Sequence, residues 1–151
     1  MISAYIETTV FNRYLEEERE FCTETRSLFD KMQGGEIEAY TSVYVISELE
    51  KAQEPKRSRM LDLIREFHVH VLGSDDSAQE LADVYIQAGV IPLRFRLDAV
   101  HIAVATVNNL DYVISLNFHH INKIKTKMVT EAINKVHGYS SPLICHPAEV
   151  L

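Results

Sequence analysis

Short runs of β-forming residues alternate along this chain with longer stretches whose apolar residues recur every three or four positions, and no other feature limits the fold as strongly. Such alternation marks βαβ units, in which parallel strands lie side by side and helices cover both faces of the sheet. The first run, Ser3–Glu7, leads straight into Thr8 and Thr9, residues suited to open a helix through Tyr14 and Leu15. From Glu20 onward Phe21, Thr25, Leu28, Phe29 and Met32 share one helical side, and Gly34-Gly35 is a natural stop. A strand is expected over Ile37–Thr41. Ser42 then caps a helix that turns Val45, Ile46 and Leu49 inward and ends before Pro55. A helix over Lys56–Glu66 groups Leu61, Ile64 and Phe67, and the alternation of His68–Leu72 predicts a strand. Ala78, Leu81, Ala82 and Tyr85 mark an amphipathic helix closed near Gly89.

The segment Asp98–Val107 is apolar on nearly every side, which predicts a central helix buried against the sheet with an acid at its head. Tyr112–Leu116 has the look of a buried strand. Lys125–His137 is read as an amphipathic helix with Met128, Val129, Ala132, Ile133 and Val136 inward, and Pro142–Cys145 as a last strand. The sum is a three-layer α/β/α sandwich on a mainly parallel central sheet. No repeat or Pro/Gly-rich linker divides the chain, so residues 1–151 are expected to form a single domain.

Composition narrows the function. Hydrophobic residues at 46% and charged residues at 25% match an ordinary globular chain, and no apolar stretch nears the ~20 residues needed to span a bilayer. The first seven residues carry no basic segment and reach Glu7 too early for a signal-peptide core, and Cys22 and Cys145 lack metal-ligand spacing, so a reduced cytoplasmic setting is expected. A net charge of −7 disfavours nucleic-acid binding by a broad basic face. It leaves room for an enzyme that gathers carboxylates around a cation, with a local basic rim.

In open parallel sheets, ligands bind beyond the carboxyl ends of the strands. Glu7 ends the first strand, Glu48 sits on the inner side of the helix after the second, Asp98 heads the most apolar helix, and Asn117 follows the strand at Tyr112–Leu116. Three acids and an amide drawn from separate βα units would then meet at one rim. Such acids repel unless a cation joins them, and Mg²⁺ or Mn²⁺ suits a few hard oxygen ligands. An ion held there activates water and neutralises a phosphodiester. No GxSxG, GxxxxGK[ST] or HExxH motif offers another chemistry.

Four fragments in order carry a likeness to a known family: Tyr5-Ile6-Glu7-Thr8-Thr9-Val10, Thr41-Ser42 with Ser47-Glu48-Leu49, Leu97-Asp98-Ala99-Val100-His101-Ile102-Ala103, and Asp111-Tyr112 through Ile114-Ser115-Leu116-Asn117-Phe118. Together they resemble the PIN-domain ribonucleases, and within them the VapC-like toxins of toxin–antitoxin pairs, over almost the whole chain. The resemblance implies a metal-dependent endoribonuclease in which Glu7, Glu48 and Asp98 ligate Mg²⁺ or Mn²⁺, Asn117 takes the fourth acid's place and Thr9 supports the site. It also implies an RNA substrate, a homodimer and a cognate antitoxin protein. Glu7 and Asn117 stand where Asp is usual, so weaker metal affinity than in a four-acid site is expected.

Each residue also has an ordinary reading: Glu7 a solvated strand-end acid, Glu48 a salt-bridge partner of Lys51, Asp98 an N-cap, Asn117 a turn residue. His101, a helical turn after Asp98, is read as a core or supporting histidine rather than a ligand. Arg94 and Arg96 form the local basic pair best placed for an RNA backbone, while His119, His120 and Lys123 are read as a solvated loop. The same motifs on a fold without catalysis would leave an RNA-binding or protein-interaction module.

Overall fold

In the structure, a computed structural model covering residues 1–151, five strands make one sheet: β1 Ile2–Ile6, β2 Ile37–Ser42, β3 His70–Leu72, β4 Tyr112–Ile114 and β5 Leu143–Cys145. Their order is β3-β2-β1-β4-β5 and every neighbouring pair is parallel. Seven helices flank them: α1 Thr8–Tyr14, α2 Cys22–Gln33, α3 Val43–Leu49, α4 Lys56–Glu66, α5 Asp76–Gln87, α6 Arg96–Val107 and α7 Ile124–Val136. The expected α/β/α sandwich is the architecture observed. No helix is long and apolar enough to cross a membrane.

The topology places a functional site before any side chain is considered. From β1 the chain moves outward to β2 and β3, then returns to β4 on the other side of β1, so the order reverses between β1 and β4. A crevice opens where crossovers leave in opposite directions, beyond the strands' carboxyl ends. β1 is central, and its Ala4, Tyr5 and Ile6 are fully buried, which explains a continuous rather than alternating apolar run. Local signals work as written in the sequence at two caps: Ser42 accepts from the Val45 N–H at the start of α3, and Asp75 from the Ser77 N–H at the start of α5.

Three expectations need correction. The strand at His68–Leu72 shrinks to β3, because His68 has a left-handed backbone (φ 53) as the chain leaves α4, and β2 offers partners only to residues 70–72. On α4 the buried residues are Met60 and Leu63, followed by Phe67, while Leu61 and Ile64 are only half-buried, a small rotation of the inner face. The largest departure is α7. It buries Thr126, Thr130 and Asn134 and leaves Met128 66% and Val136 84% exposed. Its inner polar groups are all engaged: Thr130 donates to the Thr126 carbonyl at 2.7 Å, and the Asn134 amide donates to Ser141 Oγ at 3.0 Å and accepts from the Tyr85 hydroxyl. Satisfied in this way, small polar residues lose their claim on water and pack as closely as Ala or Val.

Candidate metal centre and its cleft

The end of β1 delivers Glu7 to the crevice, where it is only 2% exposed. Its Oε1 accepts from two hydroxyls, Ser115 Oγ at 2.5 Å and Thr9 Oγ1 at 2.6 Å, so the residues after β4 and in the first turn of α1 fix its orientation. The Thr9 hydroxyl also accepts from the Leu116 N–H at 2.8 Å, which ties the two strand ends together. Glu48, near the end of α3, uses its own Oε1 for Thr8 Oγ1 at 2.5 Å and for His101 Nε2 at 2.6 Å. In both acids the internal donors converge on one oxygen and the other carries none.

His101 is fully buried on α6 and closes the group: ligand atoms of Glu7, Glu48 and His101 all lie within 4.8 Å of one another. Its Nδ1 meets the Tyr5 hydroxyl at 2.7 Å, which in turn meets Ser42 Oγ at 2.6 Å. Burial alone would lower the His101 pKa, but the Glu48 hydrogen bond and the charges of Glu7, Glu48 and Asp98 outweigh it and raise the value. Glu48 responds in kind: burial works to raise its carboxyl, yet His101, then Thr8 and Lys51, hold it below the ordinary value. Glu7 goes the other way, pushed up by burial against the pull of His101, Ser115 and Thr9.

Asp98 lies in the first turn of α6, one helical turn from His101, and stands beside this group rather than within it. Its Oδ2 is 3.1 Å from His120 Nδ1. Burial pushes its carboxyl up, opposed by His101, the Asn117 amide and His120, and reinforced by the charge of Glu48. The structure therefore brings Glu7 and Glu48 into one pocket and sets Asp98 and Asn117 on its flank within electrostatic reach. Asn117 serves the loop itself, accepting the His120 N–H on its Oδ1 at 3.0 Å, while its own N–H donates to Ser115 Oγ at 3.0 Å.

Thr9, Asp98 and Asn117 also line an open cleft of about 890 Å³, whose walls carry Arg13, Arg19, Arg94 and His119. The arginines singled out in the sequence part company here. Arg94 faces the cleft with its guanidinium carbon 4.9 Å from the centre of the Phe95 ring, whereas Arg96 is held by Asp83 at 2.9 Å and by Gln79 on α5. His120, expected on a solvated loop, is instead stacked on Phe95 at 4.1 Å between ring centres. Phe21 enters the cleft from the N-terminal end of α2 with a left-handed backbone (φ 69), a conformation that costs an aromatic residue about 1–2 kcal/mol.

Sequence reasoning did not reach Thr8 and Ser115, and it placed His101 nearby without its bond to Glu48. A signal for His101 existed: a lone imidazole in an otherwise apolar helix, three residues after an acid, must find a polar partner once buried. Ser115 had none, since its role depends on contact with a residue 108 positions away. No protein-family model matches this chain, and no curated protein matches it either.

The donor set fits a hard divalent cation. Two carboxylates are each anchored through one oxygen with the other left over, a third carboxylate lies alongside, and the burial that raises Glu7 and Asp98 is the cost a bound cation removes. His101 is compatible with such an ion but already has two partners in Glu48 and Tyr5.

Proposed function

We propose that this protein is a Mg²⁺- or Mn²⁺-dependent endoribonuclease of the PIN type, with Glu7 and Glu48 holding the ion, Asp98 completing the acidic set and RNA lying in the adjoining cleft. The observation that carries the reading is the meeting of Glu7 and Glu48, brought from separate βα units, beside a third acid at the point where the strand order reverses. When bound, a divalent ion would supply charge neutralisation at the phosphodiester and a water acidic enough to attack it. The protein's own residues do the positioning. Thr9 and Ser115 keep the Glu7 carboxylate in one orientation, Thr8 and His101 do the same for Glu48, and Arg94 offers a guanidinium to a phosphate in the cleft. The family resemblance extends the proposal to a homodimer regulated by a cognate antitoxin.

Cellular RNA incubated with Mn²⁺ should be cleaved by the wild-type protein and not by Glu48→Ala or Asp98→Ala variants that keep their fold. Equal cleavage by all three would remove this assignment.

One observation favours a second reading, a module on the same fold without catalysis. The Glu48–His101 pair already balances charge inside the pocket at 2.6 Å, with the His101 pKa raised. Such a module would gain no thermal stability from millimolar Mn²⁺, whereas a competent site gains it by mass action.

A further inference from the structure

We infer that the cleft grips an unpaired nucleobase on the side chain of Phe118, with Phe21 and His146 forming an aromatic wall behind it. The inference rests on the nuclease reading for the identity of the ligand and adds the residues that select its single-stranded form. Phe118 is 46% exposed although it sits in a loop anchored at both ends, by Asn117 on one side and by the His120–Asp98 contact on the other. Its ring centre lies 6.2 Å from Phe21 and 6.2 Å from His146, and Phe21 and His146 are 4.8 Å apart, so three rings are clustered and two of them, Phe21 and the more exposed Phe118, line the cleft. Phe21 reaches this cluster only through its left-handed backbone, a strain that persists where the surrounding structure holds a side chain in a required place.

The cations in the cleft decide between an unpaired strand and an apolar ligand. On a chain of net charge −7, Arg94 is solvent-exposed and Arg19 is 60% exposed while paired with Glu16 at 3.3 Å, both in the same cleft as Phe21, Phe118 and Glu20. Arginines follow a phosphate backbone while aromatic faces receive its bases, and base pairing in a duplex hides those faces. Asp98 lines the same cleft, which places a strand held on Phe118 beside the carboxylates.

The test is binding of a short phosphorothioate oligoribonucleotide carrying 2-aminopurine to the full-length protein without divalent ions. Binding should quench the fluorophore, and a DNA strand of the same sequence should quench it alike, because the ring is gripped and not the sugar. Phe118→Ala should weaken binding roughly 5- to 150-fold and abolish the quench, the span observed when one base loses its aromatic platform. Phe118→Trp should retain both, and a duplex of the same sequence should bind far more weakly. Wild-type affinity and quenching in Phe118→Ala, or a duplex that competes as well as the single strand, would overturn the inference. Failure of the nuclease reading looks different: the wild-type protein then gains no stability from Mn²⁺ and cleaves no RNA, while its quench and the loss of that quench in Phe118→Ala remain.

Discussion

Helix α6 leads into β4 and helix α7 follows it, and the two solve opposite problems. From Ala99 to Thr106 every residue of α6 is buried, and into this apolar envelope the helix carries one histidine, with one acid in its first turn. On α7 the buried residues are Thr126, Thr130 and Asn134, while Ile124, Met128, Ala132 and Val136, spaced by four, face outward. Charges on α6 are few and lie in low dielectric, so each acts strongly on its neighbours. The polar groups of α7 are many and mutually satisfied, so they specify packing rather than chemistry.

The largest expected effect falls on the first side of this contrast. Asp98→Asn and Glu48→Gln should each lower Mn²⁺-dependent cleavage by about a hundredfold or more, since charge stabilisation by a metal is worth several kcal/mol, while melting temperatures stay close to wild type. Intact cleavage in Asp98→Asn would break the link between α6 and catalysis, and intact cleavage in Glu48→Gln would remove the α3 acid that His101 of α6 holds. Next in size, His101→Ala should cost about 3 kcal/mol in urea denaturation, because it leaves a cavity in a fully buried helix and takes one of two partners from Glu48, which keeps Thr8, and from the Tyr5 hydroxyl, which keeps Ser42. Asn134→Ala should cost about 2 kcal/mol by removing the buried amide that joins the Tyr85 and Thr106 hydroxyls, which are left with only each other at 3.4 Å and the Ile102 carbonyl.

A smaller effect concerns pH. Burial pushes the Tyr85 phenol up to about 12, against the pull of Thr106 and Asn134, so the fold favours its neutral form. That contribution is complete below the ordinary tyrosine value of 10.0 and is lost as pH rises from there toward 12. Thermal unfolding followed across this range should show a decline that Tyr85→Phe makes shallower. The smallest effect is expected at Met128, where replacement by Ser should change stability by no more than about 0.5 kcal/mol. A loss of about 2 kcal/mol there would mean that α7 turns its apolar stripe inward after all.

The same contrast explains what could be read from the chain. α6 was legible because eight consecutive buried positions leave no choice of face, and β1 because Ala4, Tyr5 and Ile6 form an unbroken buried run in a central parallel strand. Glu7 and Asp98 were picked out because strand ends and helix starts are local features, and Glu48 because it shares the inner side of its helix with Val45 and Leu49. On α7 the apolar residues suggested an inner face, but Asn134 finds Tyr85 and Thr106, both distant in sequence, while Thr126 and Thr130 donate to the carbonyls of His120 and Thr126, and these partners make threonine and asparagine the better core. Arg94 and Arg96 look alike in the sequence. Only the packing of α5 against α6, which sets Asp83 and Gln79 beside Arg96, separates them.

The Ser115–Glu7 hydrogen bond has a consequence for the order in which the acidic pocket is assembled. The two residues stand 108 positions apart, and Leu116 is joined to Thr9 across a similar distance. A ribosome that has made only the first hundred residues has therefore produced Glu7, Glu48 and Asp98 but neither Ser115, which seats Glu7, nor His101, which seats Glu48, and loop closure of that span precedes any reward from the contact. The site is assembled only when the chain is nearly complete. In refolding experiments the ability to bind Mn²⁺ should return together with β1–β4 pairing, and its appearance beforehand would contradict this order.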